Sequence, residues 1–368
     1  MLAKGNSSLF DWSRKMNRPL ILDGAMGSIL QSRYPSLHHH GIWMNRVLTV
    51  DPTYVQHLHE EYIEAGADII TTFTFRTCPY SLKINDPDQN SSSDLVKIAV
   101  ECSKKAVSKV DTSQNCLKNE IQAEECEKII EISGLINKSE DELKTEKEVN
   151  DKKIIKSLEQ QVLKGPVLIA GSNTTMVDCY VGDISKHSDE EIYVNHEEHI
   201  NHLISNGVDF ILNETLGFYR EIIIICKICS SKNIPFIISF YCDSDLKLLS
   251  GENLIDAVEE VKKYNPMAIS FNCIKYSSLS KIINTFNLAD YPWGCYVNCG
   301  DEDMQEKFSE HDGEVEGTHV LDVKITPDQL ASFADLVRKK GLRPAFIGSC
   351  CCSTPEHTKR LKEIIERE

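Results

Sequence analysis

The sequence predicts a (β/α)8 barrel, and three observations carry that expectation. Short apolar runs alternate with amphipathic helical stretches, and eight such strand–helix repeats can be counted along the chain. Several of the runs are nearly continuous in apolar residues, as strands buried on both faces require. Polar and thiol-bearing residues interrupt the pattern at the C-terminal ends of the runs, where a barrel gathers its chemistry on one face. A doubly wound open sheet is the competing architecture, but the Gly-x-Gly-x-x-Gly phosphate loop that would support it is absent.

The elements follow in order. Pro19 to Asp23 is a short apolar strand that ends in the turn Asp23 to Ser28, where Gly24 allows close backbone approach. His38, His39 and His40 fall in a polar stretch that reads as an exposed loop. Asp51 and Pro52 open a helix carrying Val55, Leu58 and Tyr62 and stopping at Gly66. A β-rich run from Asp68 to Phe75 follows, then a helical pattern from Leu95 to Val110. The stretch 112–159 is rich in Lys, Glu, Asn and Ser and has no strand signal, so it reads as a partly helical or mobile insertion within a single 1–368 barrel domain.

From Pro166 the alternation is regular. Strands are expected at 166–171, 208–214, 235–241, 267–273, 294–298 and 343–348. Helices are expected at 189–206, 218–230, around Leu254 to Val261, around Leu279 to Phe286, and from Pro327 to Gly341. Thr354 and Pro355 open the last helix.

Composition excludes some partners. The chain has 368 residues, 41% hydrophobic and 26% charged, enough for a large core, and its net charge of -16 argues against nucleic acid and anionic membrane. No apolar run approaches the roughly 20 residues of a membrane helix, and Met1 to Arg18 lacks an apolar signal core. The 14 cysteines therefore read as reduced thiols of a cytoplasmic protein rather than as disulfides. Cys226 and Cys229, in an apolar helical run, read as core residues.

The cysteines with chemical promise are elsewhere. Cys350, Cys351 and Cys352 lie between a strand end and a helix start, whose partial positive charge favours thiolate. Cys273 closes the sixth strand. Strand ends two apart around a barrel mouth can share one ion, and three thiolates on Zn2+ leave a fourth position open, as in catalytic sites. Without a local Cys-x-x-Cys pair, a buried Cys273 beside an inert cysteine cluster remains the competing reading. His196, His199 and His202 resemble a metal motif, but helical spacing turns the third away, so a solvated or packed helix face is favoured.

The motifs together resemble the homocysteine S-methyltransferases. The carrying residues are Asp23 to Ser28, Ala65 to Thr74, Glu214-Thr215, Asn272-Cys273, Tyr296 to Gly300 and Gly348 to His357. The resemblance implies a zinc-dependent barrel that methylates the thiolate of homocysteine to give methionine. It implies Cys273, Cys350 and Cys351 as ligands, with Pro355 setting the register and Cys352 pointing away. Cys299 is not a family ligand, but its place near the mouth makes it a spare-ligand candidate. It implies Asp23 and Glu214 near the substrate ammonium, the Gly24-Ala25 amides near its carboxylate, and Asn298 among the substrate contacts. Read alone, Asp23 could be a cap and Glu214 a structural ion-pair member. The chain departs from the family at Arg76, at Asn173-Thr174-Thr175, in the loop from Met176 to Asp183, at Val297 and at Ser349, which bears on the methyl donor. The alternatives are a non-catalytic zinc- or thiol-binding barrel acting as sensor or scaffold, and methyl transfer to another thiol or a selenol.

Overall fold

The computed structural model describes residues 13–38, 42–86, 91–110, 167–180, 182–288, 290–300 and 322–367. The chain divides into two compact units, Met1–Ala106 with Val167–Glu368, and Val107–Pro166. The stretch 112–159 expected as an insertion falls outside the described residues, as do His39 and His40.

The first unit carries eight parallel strands: β1 (Leu20–Ile21), β2 (Ile69–Thr71), β3 (Leu168–Thr174), β4 (Phe210–Leu216), β5 (Phe236–Phe240), β6 (Ala268–Asn272), β7 (Trp293–Val297) and β8 (Phe346–Ser349). Hydrogen-bonded neighbours run β1-β8-β7-β6-β5-β4-β3-β2, and a parallel bridge from Leu22 to Ile69 joins the two edges. The expected (β/α)8 barrel is therefore the observed fold. Its interior packs Leu20, Ile69, Leu168, Phe210, Ile237, Ala268, Tyr296 and Phe346, one from each strand. Alternate residues such as Ile21, Ile211 and Ile238 are equally buried, which explains the unbroken apolar runs.

The helices on the outside are α1 (Gly27–Arg33), α2 (Val47–Val50), α3 (Thr53–Ala65), α4 (Pro79–Asn85), α5 (92–110), α6 (Asp189–Ser205), α7 (Tyr219–Ser231), α8 (Leu254–Lys262), α9 (Tyr276–Thr285), α10 (Pro327–Lys339) and α11 (Pro355–Ile365). Gly66 ends α3 in the left-handed region at φ 112°. The N–H of Thr354 donates to His357 Nδ1 at 3.1 Å, completing a capping box at the start of α11. Among the described residues no helix is long and apolar enough to cross a membrane.

One expectation needs correction, and three helices are added to those the sequence predicts. Helices α1, α2 and α4 are segments of four to seven residues, too short to show a helical period. The run Asp68 to Phe75 is a strand only over Ile69–Thr71. Beyond it, side chains replace the ladder: Thr72 Oγ1 meets Thr74 Oγ1 at 2.8 Å and accepts from Ser172 N, while Thr74 Oγ1 donates to Ser172 O.

Asp68 holds the closing seam. Its Oδ2 accepts from Ile21 N at 2.8 Å and from Arg18 at 2.7 Å, and its own N–H donates to Ile21 O. Removing a buried charge's partner typically costs about 3–5 kcal/mol. Asp68→Ala should therefore lower the unfolding free energy by about that much, read from urea midpoints.

Candidate metal and substrate site

Two strand ends, those of β6 and β8, deliver the sulfur cluster. Cys273 follows β6 directly, and its N–H donates to Tyr296 O on β7. Cys350 and Cys351 follow β8, with Cys350 N–H donating to Val297 O. The three Sγ atoms lie within 4.8 Å of one another, and Cys273 Sγ is 3.2 Å from Cys351 Sγ. Thiolates on one tetrahedral metal with bonds of about 2.3 Å stand about 3.8 Å apart, so this donor set can hold an ion. Hydrogen bonds from Cys350, Cys351 and Tyr180 hold Cys273 well below the usual thiol range, and the same bonding to Cys273 raises Cys350 and Cys351. One of the three is thus the first to become thiolate.

The backbone around the cluster is constrained. Thr215 within β4, Cys273 just past β6 and Cys352 past β8 have positive φ of 56°, 55° and 61°. For a β-branched residue such as Thr215 this is a true outlier. Its conformation accompanies a register shift between Asn213 and Leu216 in the β4–β5 ladder. Asn272 stabilises it: Asn272 Oδ1 accepts from Thr215 N at 2.9 Å and from Ser239 Oγ at 2.7 Å, and Asn272 Nδ2 donates to Thr215 Oγ1 at 2.8 Å. The residues flanking this lock are Glu214 and Cys273.

The cluster opens into a cavity of about 480 Å³ whose lining includes Asp23, Gly24, Ala25, Glu214, Cys273, Cys350 and Cys351. Asp23 is 2% exposed and accepts from Thr71 N and Thr71 Oγ1. Burial still outweighs those bonds and pushes its carboxyl up to about 8, with nearby Glu214 adding to the rise. Glu214 accepts from Ser172 Oγ and, at 3.1 Å, from Tyr296 OH; burial pushes it up to about 7. A pair of desolvated carboxyls is suited to a cationic group, which would relieve their mutual repulsion. A side chain at Gly24 would meet Ser353 Oγ at 2.4 Å and Tyr62 OH at 2.8 Å, so the turn requires glycine. Ala25 N–H already donates to Ser353 Oγ at 2.9 Å.

Other residues singled out from the sequence are placed elsewhere. Asn298 does not line the cavity; its Oδ1 accepts from Gly300 N–H at 2.9 Å, a turn function. Asn173 faces α6 instead of the mouth, contacting His196 and His199. Cys352 Sγ packs toward Gly300, and neither it nor Cys299 joins the sulfur group. The α6 histidines are packed in a polar network and form no metal group among the described residues. His196 pairs with Glu221 at 2.8 Å, and burial pushes His199 down to about 3.

That network supports residues which spacing did not reveal. Glu221 accepts from Thr175 Oγ1 at 2.6 Å and Met176 N at 2.7 Å, fixing the start of the loop after β3. Further along, Asp178 pairs with Arg76 at 2.8 Å and accepts from Tyr180 N–H. Tyr180 OH donates to Cys273 Sγ at 3.2 Å. The departures from the family pattern at Arg76 and at 176–183 were the signal in the sequence, but pairing Tyr180 with Cys273 across 93 positions needed the fold.

A family model described as homocysteine S-methyltransferase matches residues 20–365. The homocysteine S-methyltransferase of Escherichia coli (strain K12) is 24% identical over 353 residues, covering 93% of this chain and 94% of that one. Homocysteine S-methyltransferase 2 of Zea mays is 23% identical, with 97% and 92% covered, and a selenocysteine methyltransferase of Astragalus bisulcatus is 20% identical, with 96% and 95% covered. Among solved structures, the metallated form of the Escherichia coli homocysteine methyltransferase MmuM superposes with a TM-score of 0.63 at 22% identity, over 94% of this chain and 96% of that chain. That likeness bears on the fold.

The raised carboxyls fix a pH dependence. In the fold, Asp23 and Glu214 keep protons up to about 8 and about 7, where the unfolded chain has lost them. The unfolded state then binds fewer protons, so their contribution to stability is full below about pH 4 and falls as pH rises through the folded values. Urea midpoints of the ligand-free protein, taken relative to the Asp23→Asn/Glu214→Gln double variant, should decline up to about pH 8 and then level. A flat difference would contradict the burial argument.

Proposed function

Because the chain belongs to the homocysteine S-methyltransferase family, we propose that it transfers a methyl group from a small-molecule donor to the sulfur of homocysteine, giving methionine, with Zn2+ held by Cys273, Cys350 and Cys351. The observation that supports this most directly is the convergence of three thiols with two buried carboxyls on one cavity. Reduced thiol ligands suit a cytoplasmic setting. Zinc at this position supplies one thing, a substrate sulfur kept as thiolate at neutral pH.

The chain's own residues do the rest. Asp23 and Glu214 receive the substrate ammonium, and the arriving charge lets them release the protons that burial had retained. Thr71, Ser172 and Tyr296 keep those carboxyls aimed while they change charge. Phe73, Phe75 and Met176 line the cavity and limit water around the nucleophile. The Arg76–Asp178 pair, beside Phe75, offers both signs of charge in the same cavity. It favours a donor with a charged end of its own as well as its cationic methyl-bearing centre.

Zinc-loaded protein should form methionine from homocysteine with at least one of betaine, S-methylmethionine, S-adenosylmethionine or a methylated corrinoid. Zinc binding with no product from any of them would leave the sensor or scaffold reading standing. Replacing homocysteine by selenocysteine tests the wider acceptor range that similarity to selenocysteine methyltransferases suggests. Losing a hydrogen bond to a charged group costs about 1.5–3 kcal/mol. Glu214→Gln should accordingly raise the KM for homocysteine about 10–100-fold with the donor KM unchanged.

Metal content gives a separate check. Cys273→Ala, Cys350→Ala and Cys351→Ala should each lose stoichiometric zinc, measured after gel filtration, while Cys352→Ala retains it.

A further inference from the structure

The hydroxyl of Tyr180 donates to Cys273 Sγ at 3.2 Å, and nothing in the cavity's substrate chemistry requires that contact. Three features show that it is a fixed part of the architecture. The Tyr180 ring stands edge-on to Tyr241, with centroids 5.2 Å apart. Its backbone N–H donates to Asp178, itself held by Arg76. The loop that carries it starts from Thr175 and Met176, both bound by buried Glu221, which pairs with His196. Side chains from α6, α7, the loop after β2 and β5 therefore converge to place one phenol on one thiol.

Resting on the metal reading given above, we propose that Tyr180 is a positioning residue of the metal centre: its hydroxyl directs the Cys273 sulfur and draws negative charge from it. The physical need is plain. Three thiolates and a substrate thiolate around one dication leave the centre with excess negative charge in a buried site, next to two carboxyls. A neutral donor to one ligand disperses part of that charge without adding a competing cation. Hydrogen-bonded partners of metal ligands commonly govern affinity by 10–100-fold.

The test uses the full-length protein loaded with Co2+, whose thiolate-to-metal charge-transfer absorption reports the electron density on the sulfurs, and with Zn2+ in competition against a chelator. Tyr180→Phe should move the charge-transfer band to longer wavelength and weaken zinc binding about 10–100-fold. Replacing Tyr180 by a fluorinated tyrosine, nearly isosteric and a stronger donor, should move the band the opposite way. This second variant keeps the test decisive if Tyr180→Phe folds poorly. Shifts of opposite sign support the assignment, since a packing role alone would not order them by donor strength. A wild-type band that neither change moves overturns the role of Tyr180 and leaves the metal site intact. Absence of any thiolate-to-cobalt band in the wild-type protein overturns both.

Discussion

The carboxamide of Asn272 is the constraint on which the site depends. It ends β6, and it satisfies both the N–H and the hydroxyl of Thr215 on β4 while accepting from Ser239 on β5. One side chain thus ties together three neighbouring strands at the mouth of the barrel. The residues on either side of this lock are Glu214 and Cys273, one belonging to the buried carboxyl pair and one to the sulfur cluster. Both Thr215 and Cys273 sit in left-handed backbone. A conformation costing of order 1–3 kcal/mol per residue persists only where its surroundings hold it. The Asn272 bonds are that holding force, and they set the distance between the two halves of the site.

The second organising fact is the treatment of charge. The chain is strongly acidic, with a net charge of -16, yet inside the cavity the carboxyls are raised by burial and tend to be neutral. Each is supported by hydroxyls, from Thr71, Ser172 and Tyr296, and not by a lysine or arginine. An ion pair would have fixed them as anions and left little reason to bind a ligand's ammonium. Hydroxyl donors keep the direction of each carboxyl and leave its charge to be set by what arrives. The sulfur cluster has the same logic, since its own hydrogen bonds single out one thiol and prepare the set for a cation.

Much of this was legible beforehand. The strand–helix count, the closing of α3 at Gly66, the opening of α11 at Thr354 and Pro355, and the seclusion of Cys226 and Cys229 all follow from local pattern. So does the gathering of Asp23, Glu214, Cys273, Cys350 and Cys351 at strand ends. The short helices α1, α2 and α4 carry too few turns to announce themselves. The stretch after Thr71 looked like strand because threonine favours sheets, but its hydroxyls capture the neighbouring strand's groups and bend the chain away. Asn298 matched a motif, but its Oδ1 accepts from Gly300 N–H in a turn and it is not among the residues lining the cavity.

By itself the sequence determined which strands exist, in what order, and which sulfurs stand at their ends, because period and chain position are local properties. Only the tertiary structure decided which side chains complete the site. Tyr180 reaches Cys273, Glu221 braces Thr175 and Met176, and Arg76 meets Asp178 through contacts between segments far apart in the chain. Such contacts depend on barrel closure and on the register of one strand against the next. A shift of a single residue in a strand turns a side chain from the interior to the helices, as Asn173, in register with Asn213, and Glu214, in register with Thr174, make concrete.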